Sequence, residues 1–358
     1  MNSMSLKKIL KSSLLFIALI GVTFFVVFKD NSLNNIVETL KSVNLTYIYV
    51  GILLMFLFIC CEAINIRRML RLLSYDISIV NGLKYAFVGF FFSSITPSAS
   101  GGQPMQIYYM KKDNVDISHS SLVLLVELAS FQFVTIVIAL LAFIGNYKFI
   151  ITLNPAIKVL IWVGIISNTI VFLFIVLAIF SKKFISKTIE LIFKLVSRVK
   201  FINLNKLIKN IDEEINQYQE GAKFIKENKM VIVKVILTTF AQICFNYSIT
   251  FFVYKAFNLS TYSFLTVFSL QSILFISVSA IPLPGSVGSS ESSFLTLFKT
   301  LFPVSTLSSA MLLSRGISFY LFVIISGIVV LFIGIFKKNL KEKYMNNMTL
   351  NDKIAISK

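Results

Sequence analysis

Thr96-Pro97-Ser98-Ala99-Ser100-Gly101-Gly102-Gln103-Pro104 is a run of helix breakers set inside a strongly apolar region. Ile281-Pro282-Leu283-Pro284-Gly285-Ser286-Val287-Gly288-Ser289-Ser290-Glu291 echoes it later in the chain. Proline lacks an amide donor and glycine weakens a helix, so neither run continues a membrane-spanning helix. Backbone groups freed at membrane depth persist only where protein or a water-filled cavity satisfies them. Paired breaks at corresponding places of two halves point to the binding site of a transporter.

Around these runs the chain is 56% hydrophobic over 358 residues. Apolar segments fall at 9–28, 45–66, 82–96, 120–144, 157–180, 231–255, 261–281, 290–302 and 307–336. Several are near 20 residues and almost free of charge, which marks a polytopic membrane protein. The first, behind Lys7 and Lys8, exceeds a signal peptide's apolar core and is read as a span. The net charge of +18 belongs to loops between apolar runs, so it sets orientation and does not indicate a nucleic-acid partner. Cys60, Cys61 and Cys244 lie inside apolar runs without metal-ligand or disulfide spacing, and His119, the single histidine, is read as a solvated loop residue.

Segments 82–96 and 290–302 are short for a crossing, and charge decides their course. If 82–96 crossed once and 261–302 counted as one crossing, the loop 181–230 would lie outside with eleven Lys and Arg residues. If 82–110 instead enters and leaves on the cytoplasmic side and 261–302 on the outer side, 27 of the 34 basic residues become cytoplasmic. The second arrangement satisfies the positive-inside bias. The expected fold is therefore all-α and polytopic, with six full spans plus two re-entrant helical hairpins in two inverted repeats. Residues 1–150 form the first repeat, with a cytoplasmic-side hairpin near 82–110. Residues 151–336 form the second, with a basic amphipathic cytoplasmic insertion at 181–230 and an outer-side hairpin at 261–302, and 337–358 is a cytoplasmic tail. Both termini are then cytoplasmic, in a bacterial-type cytoplasmic membrane. The insertion fits amphipathic helices on an anionic leaflet, or a linker packed on the spans.

Each broken run can start a half-helix whose free amides attract an anion such as a lipid phosphate. Pro97, Ser98, Ser100, Gly101, Gly102 and Gln103 in the first run would line that pathway. Pro284, Gly285, Gly288, Ser289, Ser290 and Glu291 would do so in the second, with Ser289 or Ser290 as helix cap. Glu62, Glu127 and Arg315 are the intramembrane charges. Glu127 follows Pro97 by 30 residues and Arg315 follows Pro282 by 33, so the two are expected to meet across a pseudo-twofold axis or each to contact a hairpin. Arg67, Arg68, Arg71, Lys111 and Lys112 are headgroup contacts or orientation anchors. Gln132, Asn168, Gln242, Asn246 and Gln271 are assigned to interhelical hydrogen bonds. No nucleophile elbow, Gly-Lys-Ser phosphate loop or acidic metal cluster is present in the sequence, so no catalytic residue, metal or cofactor is expected.

The two runs resemble the paired motifs of the lysylphosphatidylglycerol synthase transmembrane (flippase-like) family, typically T/S-P-x-x-x-G-G-x-P and P-x-P-G-G-x-G-x-x-E. The match falls on Pro97, Gly101, Gly102, Pro104, Pro282, Pro284, Gly285, Gly288 and Glu291, and Arg315 agrees with an arginine common in the last span. Ser286 stands where a second glycine is usual, and Leu128 where an arginine often follows the acid. The resemblance implies a membrane module without the family's C-terminal aminoacyl-transfer domain. It implies translocation of an aminoacylated phospholipid of the lysylphosphatidylglycerol type, or a related lipid. Anionic or aminoacylated phospholipids, and a partner lipid synthase, are the implied partners. A phosphatidylglycerol lysyltransferase and a small-solute secondary transporter are the rival expectations.

Overall fold

The computed structural model describes Gly21 and residues 38–153, 155–181 and 204–347. Among these the regular structure is entirely helical. α1 is Leu45–Leu72, α2 Ile79–Ile95, α3 Gly102–Lys112, α4 Ile117–Gly145, α5 Pro155–Phe180 and α6 Leu204–Glu227. α7 is Lys229–Ala256, α8 Phe264–Ser279, α9 Ser289–Leu297, α10 Val304–Arg315 and α11 Leu321–Asn347, the last two joined by a π-helical turn at Gly316–Tyr320. Five stretches are long and apolar enough to cross a membrane: α1, α4, α5, α7 and the continuous Val304–Gly334. The expected span 9–28, residues 182–203 of the insertion and the tail beyond 347 lie outside the described residues.

Short polar side chains set the helix starts. Asn44 accepts from the Thr46 amide at 3.0 Å before α1, and Ser78 from the Asn81 amide at 3.1 Å before α2. Ser263 accepts from the Thr266 amide at 3.3 Å before α8. Each replaces a bond that the first turn cannot make to itself.

α1 and α7 lie antiparallel along the centre. The Asn44 amide donates to the Ala256 carbonyl at one end (2.9 Å), and at the other Asn65 Nδ2 donates to Thr239 Oγ1 (3.0 Å). Around this pair α2 packs on α1 and α11, while α8 packs on α7, α4 and α5. The second half of α6 buries Tyr218, Ala222 and Ile225 against α4, α5 and α7, so that face is covered by protein.

Two crossings depend on missing side chains. A Cβ on Gly82 would come 2.7 Å from the Ala63 carbonyl oxygen, where α2 crosses α1, and one on Gly164 would overlap the Ile276 carbonyl, where α5 crosses α8. Small residues permit such backbone approach between apolar helices that lack a hydrophobic driving force in lipid. Asn168 fastens the second crossing by donating to the Gly164 carbonyl (2.7 Å) and to Ser279 Oγ (2.6 Å). Gly164→Ala should therefore lose about 1–3 kcal/mol by overpacking, although alanine favours a helix elsewhere. Thermal unfolding in detergent should show a lower midpoint for Gly164→Ala and none for Gly145→Ala, whose new methyl meets nothing within 4 Å.

Candidate functional site

The two helix breaks turn the same way just after their prolines, then diverge, Ser100 being helical and Val287 extended. After Pro97, Ser98 and Ala99 have φ of 52° and 54°; after Pro284, Gly285 and Ser286 have φ of 57° and 52°. Three of these four are not glycine, and an L-residue in this left-handed region costs roughly 1–2 kcal/mol. The turn Pro97–Ala99 packs directly on the turn Pro284–Ser286, and α2 also reaches the second turn. Each pair of arms folds back on itself. Lys84 and Tyr85, early in α2, both bind Asp113 at the end of α3, the tyrosine hydroxyl donating at 2.6 Å. Tyr262, ahead of α8, donates to the Thr300 carbonyl at 3.0 Å, just beyond α9.

The second break is organised by Glu291. Its Oε2 accepts from the Gly288 amide at 2.7 Å, and its Oε1 accepts from Arg315 Nε and the Tyr320 hydroxyl, each at 2.9 Å. Arg315 Nη2 also donates to the Gly285 carbonyl at 2.9 Å, and the guanidinium lies 4.4 Å above the Phe319 ring. The carboxylate is 3% exposed and the guanidinium side chain 16%, so each charge is compensated by the other and by hydrogen bonds. The cap of α9 is Gly288, with φ of 88°, and not Ser289 or Ser290 as the sequence suggested. Glu291 occupies the third helical position and reaches back to the cap amide, so no serine hydroxyl is needed there. Ser289 Oγ donates instead to the Ser286 carbonyl at 2.8 Å, and Ser290 is buried.

The first break is closed more sparingly. Thr96 Oγ1 accepts from the Gly101 amide at 2.8 Å and donates to the Phe92 carbonyl at 2.6 Å. α3 has no side-chain cap and no acid in its first turn, and Pro97, Ser98, Ala99 and Ser100 are exposed. Gly102 is buried, and a Cβ there would overlap Ser93 Oγ. Further along α3, Gln106 Nε2 donates to Glu62 Oε1 at 2.8 Å and to the Tyr85 carbonyl at 3.2 Å. Its carboxamide fills the space left by the absent side chain of Gly89.

Glu127 does not pair with Arg315. Its electrostatic neighbour is Glu62, and it has no hydrogen bond or ion pair among the described residues. The reason lies with Arg315, whose Nε and Nη2 are already committed to Glu291 and Gly285.

The basic residues divide into internal and exposed groups. Arg68 Nη1 donates to Asn65 Oδ1, the Lys234 carbonyl and Thr238 Oγ1 at 2.8–3.0 Å, tying α1 to α7. Arg67 Nε donates to the Ile77 carbonyl at 3.0 Å. Arg71 meets Asp76 in an exposed pair, Lys112 stands 4.1 Å above the Tyr108 ring, and Lys111 is exposed. His119 is not a loop residue: it lies in the first turn of α4, where its Nδ1 is 2.8 Å from the Tyr75 hydroxyl. Burial, followed by the hydrogen bond to Asp116, pushes the Tyr75 hydroxyl up to about 12. Of the neutral polar residues, Asn168 and Gln271 make interhelical bonds, the latter accepting from Thr250 at 2.9 Å. Asn246 Nδ2 also donates between helices, to Met55 Sδ of α1 at 3.5 Å, whereas Gln242 Oε1 is buried with no bonding partner among the described residues.

Gln106 and Tyr320 were not singled out from sequence. Gln106 sits four residues past the start of the second arm, where a lone glutamine carries no motif. Tyr320 follows Arg315 by five residues, a spacing that points away from it on a regular helix.

With this geometry in view, comparison with known proteins gives a consistent placement. The model of the family described as "Lysylphosphatidylglycerol synthase TM region" matches residues 12–326. A protein of Archaeoglobus fulgidus described as "UPF0104 membrane protein" is 27% identical over 288 residues, covering 79% of this chain and 85% of that protein. Apolar helices in this number agree with a multi-pass membrane protein. The chain belongs to the lysylphosphatidylglycerol synthase transmembrane-region family.

Proposed function

We propose that this protein moves a phospholipid headgroup across the cytoplasmic membrane through the niche where its two helix breaks meet. The contact between the turns Pro97–Ala99 and Pro284–Ser286 carries the proposal. It brings two half-helix starts together, and the first turn of α3 presents its amides without a side-chain cap or an acid. Such an end attracts a phosphate. Pro97, Ser98, Ser100, Gly101 and Gln103 line the open side of the niche, with Gly102 buried behind them. Pro284, Gly285, Gly288, Ser289, Ser290 and Glu291 close the other side. Family membership favours an aminoacylated phospholipid of the lysylphosphatidylglycerol type as cargo.

Both broken elements are re-entrant hairpins on this proposal, because the outer ends of the two arms are bonded together in each: Tyr85, early in α2, to Asp113 after α3, and Tyr262, ahead of α8, to Thr300 after α9. Residues 1–150 and 151–336 act as inverted repeats. Exchanging α1 for α7, α2 for α8, α3 for α9 and α4 for α10–α11 maps one set of packing pairs onto the other. α1 against α2 answers α7 against α8, and α3 against α4 answers α9 against α10. α2 against α11 answers α8 against α4. One repeat rocking against the other then alternates access to the niche.

Two experiments test this. Single cysteines at Asp76, Lys111 and Val304, with Cys60, Cys61 and Cys244 replaced by alanine, report sidedness to an impermeant maleimide. Cysteine at 76 and 111 should label only from the cytoplasmic face and at 304 only from the outer face; labelling of 76 and 111 from opposite faces would make α2–α3 a crossing. In vesicles of phosphatidylcholine and phosphatidylglycerol carrying a fluorescent phosphatidylglycerol, the full chain should speed loss of inner-leaflet fluorescence on adding an impermeant quencher. Ser100→Asp places a rival anion at the start of α3, where an acid stabilises a helix by about 0.3–1 kcal/mol, so folding is retained. Flipping should fall about tenfold in Ser100→Asp and hold in Ser100→Asn, roughly the effect of blocking one charge-assisted contact. Equal rates in the two variants contradict a headgroup site there.

A further inference from the structure

We propose that the π-helical turn Gly316–Tyr320 is a register switch in the last span, which in the present form locks the second helix break. The proposal rests on the transport reading for its purpose, but its geometry stands apart from any cargo.

On a regular helix, five residues at about 100° each would leave Tyr320 roughly 140° around the axis from Arg315. The Leu321 amide instead bonds the Gly316 carbonyl, an i→i+5 closure that inserts one residue into the turn. The insertion returns Tyr320 toward the azimuth of Arg315. Only with that shift do the Arg315 guanidinium and the Tyr320 hydroxyl both reach Glu291 Oε1, each at 2.9 Å.

Three neighbours read the state of the turn. Phe319 covers Gly285 so closely that a Cβ there would overlap its ring, and the same ring carries the Arg315 guanidinium at 4.4 Å. Phe319 also meets Phe90 of α2 with ring centroids 6.3 Å apart. Ile317, at the front of the turn, fills the space beside Gly51 of α1, 3.4 Å from where a Cβ would be. The turn thus touches the second break, the first hairpin and the central pair at once. Gly316 opens it, and a Cβ there would meet nothing of the neighbouring elements within 4 Å, so no other helix packs on the turn at that point.

Resolving the inserted residue, or passing it along the helix, rotates everything beyond it. Tyr320 then leaves Glu291, Phe319 leaves Gly285, and the second break keeps Arg315 alone. Bulges of this kind in helices recur at functional sites for the same reason: one residue's worth of register is stored without breaking the span.

The test uses the full chain in lipid nanodiscs and reads amide hydrogen exchange by mass spectrometry. Tyr320→Phe removes only the hydroxyl, and deletion of Ser318 removes the inserted residue. Exchange over residues 284–291 should rise about tenfold in Tyr320→Phe, the effect of losing one hydrogen bond to a charged group. Exchange in α7 should rise less than over 284–291, and the thermal midpoint should fall by no more than the few degrees one lost hydrogen bond is worth. Deletion of Ser318 should raise exchange over the same peptide at least as much. Unchanged exchange over 284–291 in Tyr320→Phe overturns the switch, and so does a rise spread evenly over the chain, which marks general loosening. Flipping of fluorescent phosphatidylglycerol is measured on the same samples: if the wild type does not flip while Tyr320→Phe shows the local rise, the cargo reading falls and the switch stands.

Discussion

A helix interrupted inside an apolar bundle releases amides and carbonyls that must find partners away from bulk water, and this constraint shapes the centre of the protein. Much of the demand is met inside the turns themselves. The Ala99 amide bonds the Thr96 carbonyl and the Ser100 amide the Pro97 carbonyl, at 3.2 and 3.1 Å. The Ser286 and Val287 amides bond the Leu283 and Pro284 carbonyls at 3.1 and 3.2 Å. Side chains take up more of it: Thr96 accepts from the Gly101 amide and Glu291 from the Gly288 amide, while Arg315 and Ser289 donate to the Gly285 and Ser286 carbonyls. Bringing both turns to one place fixes the rest, because α2–α3 and α8–α9 must then flank the α1–α7 pair.

The two breaks solve the same problem with different chemistry. At the second, a buried carboxylate and guanidinium neutralise one another and bond the nearby backbone. Separating such a pair would strand a charge in an apolar interior, so the arrangement is rigid unless a second partner set is offered. At the first, small residues and one threonine do the work, leaving Pro97–Ser100 exposed and α3 uncapped. One side of the niche is a fixed electrostatic wall and the other an open backbone surface. Such asymmetry suits binding of an anion at α3 more than at α9, whose start is already faced by Glu291.

The five described spans and the two breaks were legible because apolar length and Pro/Gly chemistry are local signals. α5 and α7 fall within two residues of their apolar runs, and both breaks sit at the quoted motifs. α1 outruns its apolar stretch by six residues to Leu72, since Arg68 is absorbed by Asn65 and Thr238 and the helix has no need to end at the charge. Side-chain pairing was less legible. Glu127 and Arg315 invited a symmetric pair, but Glu291, only three residues beyond Gly288, is the nearer acid to Arg315 once the second arm folds back. Tyr320 was hidden by the π-helical turn, which shifts the 3.6-residue register on which sequence reasoning relies. His119 was hidden by the helix start at Asp116, where Tyr75, forty-one residues away in sequence, arrives only through the fold.

Polar bonds across the α1–α7 seam lie toward its ends. Asn44 meets Ala256 at one end, and Asn65 and Arg68 meet residues 234–239 at the other. Between them lie one weak bond, from Asn246 Nδ2 to the soft sulfur of Met55, and the apolar contact of Gly51 with Ile317 and Ile249. Directional bonds hold a fixed separation, whereas dispersion contacts between small and flexible side chains change little over a short slide. If one half rocks against the other, the middle of this seam is therefore where sliding is easiest, and Gly51, without a side chain, leaves Ile317 room to follow. Because Ile317 belongs to the π-helical turn, displacement at the seam is carried into the element that holds Glu291, and the second break cannot remain indifferent to it.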